Sequence, residues 1–109
     1  MLEPLIGSRN RERVLLFIRA RGAGYARQIA LFFNCSLNPI QKQLEGLEFG
    51  GVLIGRRVGR TRLYSFSPRY PFRRELQALL DKTLAFYPTD ESERLLMDRK
   101  RPRRGGKPL

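Results

Sequence analysis

A chain of 109 residues with 41% hydrophobic residues is globular and holds one domain with a core of modest size. Its 22 Lys and Arg against 10 Asp and Glu give a net charge of +12, which points to polyanionic partners, nucleic acid first among them. One cysteine and no histidine rule out an intrachain disulfide and argue against a zinc or transition-metal site, and no apolar run approaches the ~20 residues of a membrane span.

The start, MLEPLIGS, carries Glu3 and lacks the apolar core of a secretory signal. Ser8 is placed to cap a helix from Arg9 to about Ala20, with Val14, Leu15, Phe17 and Ile18 at helical spacing. Arg9, Arg11 and Arg13 crowd its first turns and oppose the helix dipole, so either Glu12 offsets them or they meet phosphates. Arg21-Gly22-Ala23-Gly24 breaks the helix. Tyr25 to Phe33 forms the next one, with Ala26, Ile29, Ala30 and Phe33 on one face, and Asn34-Cys35-Ser36 is the turn. Cys35, at an apolar position, reads as a small buried residue, with a redox sensor as the lesser alternative.

The following helix, 37–49, sets Ile40, Leu44 and Leu47 in one apolar stripe and ends at Gly50-Gly51. Asn38, Lys42 and Glu45 then point outward, flanked by Gln41 and Gln43. Asn, Gln and Lys are the side chains that address base edges in a major groove. Asn38-Pro39-Ile40-Gln41 also matches a helix cap, in which Asn38 would bond its own backbone, so Gln41 and Lys42 rank above it. Val52 to Arg57 and Thr61 to Phe66 read as two strands joined at Val58-Gly59-Arg60, with Tyr64 and Phe66 facing the core. This hairpin carries Arg56, Arg57, Arg60 and Arg62, suited to phosphates or the minor groove. Side chains alternate along a strand, so Arg56 and Arg57 cannot both face the same partner. Tyr25, Ser36 and Arg27 at the turn motif join this set as candidate DNA contacts. Tyr25 is read two ways, as a phosphate contact or as a residue at the core edge.

Pro71 to Tyr87 reads as a long helix stopped by Pro88. Its stripe of Phe72, Leu76, Leu79, Leu80, Thr83, Leu84 and Tyr87 is broader than one face of a small domain needs. It either lies across its own domain or pairs with a second copy; the second reading is favoured, making it the candidate dimerisation surface, since twofold dimers read paired half-sites. Asp90 caps a short acidic helix with Glu93 as partner, and 99–109 is a basic tail expected to be disordered. The DNA-binding domain is thus 1–87, with 88–109 appended. The basic excess lies in 1–70 and 99–109, while 71–98 is slightly acidic. The carboxylates form no pair for acid–base work. With no histidine, nucleophile–base pair or phosphate loop, no enzyme and no cofactor are expected.

These residues define the fold class: α+β, mostly helical, a winged helix-turn-helix with a two-stranded wing and a long C-terminal helix. From about Leu5 to Leu84 the chain resembles the winged helix-turn-helix domains of ArsR-like bacterial and archaeal regulators, in the variant often fused ahead of a nucleotidyltransferase. The resemblance is carried by Tyr25-Ala26-Arg27-Gln28-Ile29-Ala30, by Leu47-Glu48-Phe49-Gly50-Gly51-Val52, by the wing Arg56-Arg57-Val58-Gly59-Arg60 with Tyr64-Ser65-Phe66, and by Pro68 to Leu84. It implies DNA binding and a homodimer. Pro39 stands where the family has a small hydroxyl residue and Gly46 where it often has Lys or Arg. The Cys and His ligands of metal-sensing members are missing, so metal sensing does not carry over. The function expected is a cytoplasmic, prokaryotic, sequence-specific double-stranded DNA-binding regulator, a dimeric repressor with an unassigned effector. The competing expectations are a protein-interaction module and an architectural or RNA-binding protein led by the tail.

Overall fold

The computed structural model describes residues 1–100. Among them are six helices and one three-stranded antiparallel sheet. The organising element is α2 (Arg9–Arg21), preceded by a single turn, α1 (Glu3–Ile6). Ser8 caps α2 as expected, its hydroxyl accepting from the Arg11 N–H at 3.1 Å. Val14 through Ile18 are all buried, including Leu16 at 0% exposure, which falls outside the predicted stripe. A helix stretch that is apolar all round, as 14–18 is here, is one surrounded by other elements. Here α2 is packed by α4, α5 and α6.

After Gly22 the chain forms β1 (Gly24–Tyr25), α3 (Ala26–Phe32) and α4 (Leu37–Phe49). Gly24 lies against α2 so closely that an added Cβ would sit 3.0 Å from Phe17 Cδ1 and Cε1 and 3.2 Å from Ile29 Cδ1. Gly24→Ala is therefore expected to cost roughly 1–3 kcal/mol by overpacking, read as a lowered thermal midpoint. The end of α4 satisfies its last carbonyls through the turn: Gly51 N–H donates to Glu48 O and Val52 N–H to Leu47 O. Gly51 takes φ +84° there, the left-handed conformation this helix ending requires.

The hairpin follows as β2 (Leu53–Val58) and β3 (Thr61–Phe66), turning at Gly59-Arg60 with Gly59 at φ +62°. Two strands were expected; the sheet has three, in the order β1-β3-β2. The extra strand is two residues long, pairing Gly24 with Tyr64 and Tyr25 with Leu63. It ties the start of the helix-turn-helix to the hairpin. Tyr64 is buried and Phe66 packs against the core, as predicted.

α5 (Arg73–Phe86) and α6 (Thr89–Lys100) complete the fold. Arg19 holds α5 to α2 through a two-pronged contact with Asp81, at 2.7 and 2.8 Å. Two expectations about the end of the chain are corrected. α6 begins at Thr89, so Asp90 lies inside its first turn and is not its cap, and the helix runs through Arg99 and Lys100. Nor is α6 an appendage: Leu95 is fully buried in the common core. The Arg21 guanidinium sits over the Phe17 and Phe32 rings and donates to Leu95 O and Arg94 O, while Arg94 covers Phe32. The rest of the predicted tail, 101–109, lies outside the described residues. No helix among the described residues is long and apolar enough to cross a membrane.

Candidate nucleic-acid interface

The candidate interface is built from α4, the start of α3 and the hairpin. Ile40, Leu44 and Leu47 turn inward on α4, and Asn38, Gln41, Lys42 and Glu45 are exposed. The predicted cap at Asn38 is corrected. Ser36 is the residue before the helix, and Asn38 is its second residue, with Pro39 third. The first N–H groups of a helix have no partner within it, so Pro39 sacrifices nothing there. Asn38 is consequently exposed and not engaged as a cap. Gln43 departs from the expectation in the other direction. Its Oε1 accepts from Arg11 Nε at 2.8 Å, which turns it toward α2 and away from the outward face.

A cleft of about 420 Å³ opens between α4 and the hairpin. It brings together Tyr25, Arg27, Gln41, Arg57, Arg60 and Arg62 from the predicted set, with Glu45 and Thr61. Tyr25 is half-buried and at the same time lines the cleft, and its N–H is taken by Gln28 Oε1 at 3.1 Å. Ser36, Asn38 and Lys42 are exposed outside the cleft. The register resolves the arginines. Arg57 pairs with Arg62 on the cleft side of the sheet, whereas Arg56 pairs with Leu63 on the opposite side. Arg57 and Arg60 make no ion pair among the described residues.

Arg62 is different. Its guanidinium meets the Glu48 carboxylate with Nε–Oε1 at 3.3 Å and Nη2–Oε2 at 2.6 Å. The hydrogen bond from Arg62 holds the Glu48 carboxyl below the usual carboxylate range, and the same contact raises Arg62. Burial pushes the Tyr64 hydroxyl up, with Glu48 adding to the effect. Sequence reasoning missed Glu48, because its partner lies 14 residues away on another element.

The proposed dimer stripe is divided. Leu80 and Thr83 are buried inside this chain, Thr83 Oγ1 donating to Leu79 O at 2.8 Å. Leu76, Leu84 and Tyr87 pack against the core, and the Tyr87 hydroxyl donates to Glu12. Phe72 and Phe86 stay 61% and 67% exposed. Phe86 was not in the predicted stripe. The seven-residue spacing of Phe72, Leu79 and Phe86 was the signal for it.

No family model matches the chain, and no curated protein does. Solved structures do. A doubly substituted ZitR from Lactococcus lactis in its apo form matches with a TM-score of 0.54 and 21% identity, over 83% of this chain and 76% of that one. A second structure of the doubly substituted protein matches with a TM-score of 0.53 and 15% identity, over 85% and 70%. The fold is a winged helix. α3 and α4 are its helix-turn-helix and β2–β3 its wing. These neighbours are transcriptional regulators, not enzymes. At such identities the likeness reaches the winged-helix fold and does not extend to the ArsR-like subtype.

Proposed function

We propose that this chain is a sequence-specific, double-stranded DNA-binding transcriptional regulator, a dimeric repressor working in the cytoplasm of a prokaryotic cell. α4 enters the major groove with Asn38, Gln41 and Lys42 toward base edges. The wing lays Arg57 and Arg60 on phosphates or in the minor groove. The observation that carries this reading is the convergence of Gln41, Arg27, Arg57 and Arg60 on one cleft between α4 and the wing. The wing arginines Arg57 and Arg60, without an ion pair among the described residues, and the net charge of +12 support it further. The regulator neighbours and the resemblance to ArsR-like domains point the same way.

Selection of bound duplexes from a random pool tests it. A twofold-symmetric enriched site is expected. Binding should weaken by ~10³–10⁵ between 50 and 200 mM salt if six to ten phosphates are contacted. Weak binding that is flat with salt, or no enriched site, sinks the proposal.

The dimer is proposed to form through the outer edge of α5, where Phe72 and Phe86 are exposed and Leu79 lies half-buried between them. Phe86→Asp is expected to raise the dimer dissociation constant at least about 10²-fold, because an unpaired carboxylate would be buried at the contact. At a concentration low enough for both proteins to be monomeric, the thermal midpoint should stay in place, since Phe86 adds little to the core. Molar mass in solution against concentration checks this, and a variant that stays dimeric rules out this edge.

A further inference from the structure

We propose that Glu48 withholds Arg62 from DNA and uses it to anchor the wing, so that Glu48 and Gly55 determine specificity without touching the duplex. The inference rests on the DNA-binding reading above and assigns roles within that same site.

Three observations carry it. The first is geometry. Glu48 stands in the last turn of α4 and Arg62 on β3, and both carboxylate oxygens are used, at 3.3 and 2.6 Å. Single exposed ion pairs hold little, but a two-pronged arginine–carboxylate contact is the geometry that does hold. The second is the path of the arginine. An added Cβ at Gly55 would overlap Arg62 Nε and lie 3.1 Å from its Cγ and Cζ. The missing side chain at Gly55 is what lets Arg62 lie across β2 to reach α4. The third is the contrast with its neighbour. Arg57 and Arg62 are register partners on the same face, and both line the cleft, yet among the described residues only Arg62 of the two has a carboxylate.

The consequences follow from counterion release. Affinity for any duplex rises with each cation that displaces counterions from phosphate, regardless of sequence. An arginine already neutralised by a carboxylate displaces none. In a chain of net charge +12, withholding one wing cation lowers binding to random DNA. Fixing the wing against α4 also sets the cleft to one width, which favours duplexes whose shape fits it. Glu48 and Arg62 are therefore positioning residues, and Arg57 and Arg60 are the contacts.

The test measures salt dependence of binding by the full chain, to a random-sequence duplex and to the duplex enriched by selection. Arg57→Gln should lower the slope of log affinity against log salt by about 0.9 per subunit. Arg62→Gln should leave the slope unchanged while weakening binding to the selected duplex. Glu48→Gln frees the arginine, so the slope should rise by about 0.9 and random-duplex affinity about eightfold at 0.1 M salt. Gly55→Ala should do the same without changing any charge, by displacing Arg62. The proposal is overturned if Arg62→Gln lowers the slope as Arg57→Gln does, or if Glu48→Gln leaves it unchanged. Hydrogen exchange without DNA reads the anchoring separately: β3 amides should exchange faster in Glu48→Gln, and unaltered exchange removes the anchoring role. A wild-type chain with no salt-dependent duplex binding sinks the DNA-binding reading and the withholding role together. The other outcomes bear on this inference alone.

Discussion

Arg57→Gln with Arg60→Gln is expected to reduce duplex affinity roughly 10²-fold per subunit at 0.1 M salt. A slope of about 0.9 per phosphate means that each lost contact removes about 0.9 of a decade at 0.1 M relative to 1 M, and two are lost here. Both arginines lie on the cleft side of the wing and are exposed, and neither is paired with a carboxylate among the described residues. The fold does not use them, so the thermal midpoint should stay within about a degree, surface changes away from special features being worth under ~0.5 kcal/mol. The loss should be uniform across sequences, because phosphate contacts position the protein and carry no base information. Gln41→Ala is the counterpart. It should change which bases are enriched while leaving the salt slope alone. Titration of a labelled duplex at several salt concentrations measures both. A double substitution that costs less than threefold in affinity would remove the wing from the list of phosphate-binding elements.

Helical periodicity made much of this fold legible. The stripe of Ile40, Leu44 and Leu47 and the paired glycines at its end delimit α4 from either side, and Ser8 marks the start of α2. Local rules suffice where an element is bounded by its own caps and turns. They fail where position depends on a distant segment. β1 is two residues of Gly-Tyr with no pattern of its own, and it exists because β3 lies alongside. α6 reads as a polar, acidic helix, and only the seat for Leu95 and the carbonyls offered to Arg21 make it part of the core. Asn38 illustrates the limit of a local signal: its cap pattern with Pro39 and Gln41 is not used, and the helix starts two residues earlier, after Ser36.

The candidate site shows the same division at the scale of single side chains. Spacing along α4 says which residues are off the apolar stripe, but not what stands beside the helix. Gln43 is at the edge of that stripe, and Arg11 on α2 claims it. Alternation along β2 separates Arg56 from Arg57, a conclusion available from the sequence and matched by the register. That Arg62 is occupied, and Arg57 is not among the described residues, depends on the gap above Gly55 and on the last turn of α4 coming close, neither of which has a local signature.

Glu12→Ala is expected to cost about 2–4 kcal/mol, the largest stability loss of any polar substitution proposed for this chain. Glu12 is 1% exposed, and its carboxylate joins three parts of the fold. One oxygen accepts from the Leu2 N–H at 2.7 Å and from the Met1 amino group at 3.1 Å, and the other accepts from the Tyr87 hydroxyl at the end of α5. Removing it leaves buried donors without an acceptor, at ~1–3 kcal/mol each, and opens a small void besides. For a domain of this size each kcal/mol moves the thermal midpoint by ~4–8 °C, so a fall of roughly 8–32 °C is expected. The pH dependence identifies the cause. Burial alone would raise the Glu12 carboxyl, but the hydrogen bonds from Tyr87, the Met1 amine and Leu2 outweigh it and hold the carboxyl below its ordinary value. Burial first, and Glu12 second, push the Tyr87 hydroxyl up, so it stays a donor at neutral pH. With the folded-state value depressed, the contribution is complete above the unfolded carboxylate range of about 4.3 and is lost as pH falls through the lower folded value. The gap between wild type and Glu12→Ala should therefore be constant from pH 6 to 8 and shrink as the pH is taken down toward 2. Tyr87→Phe, which removes one donor and keeps the packing, should cost about 1–2 kcal/mol and move the acid limb of wild-type stability to higher pH. Thermal midpoints of the three proteins across that range decide it. A gap that does not change with pH would mean that Glu12 matters for its volume and not for its charge.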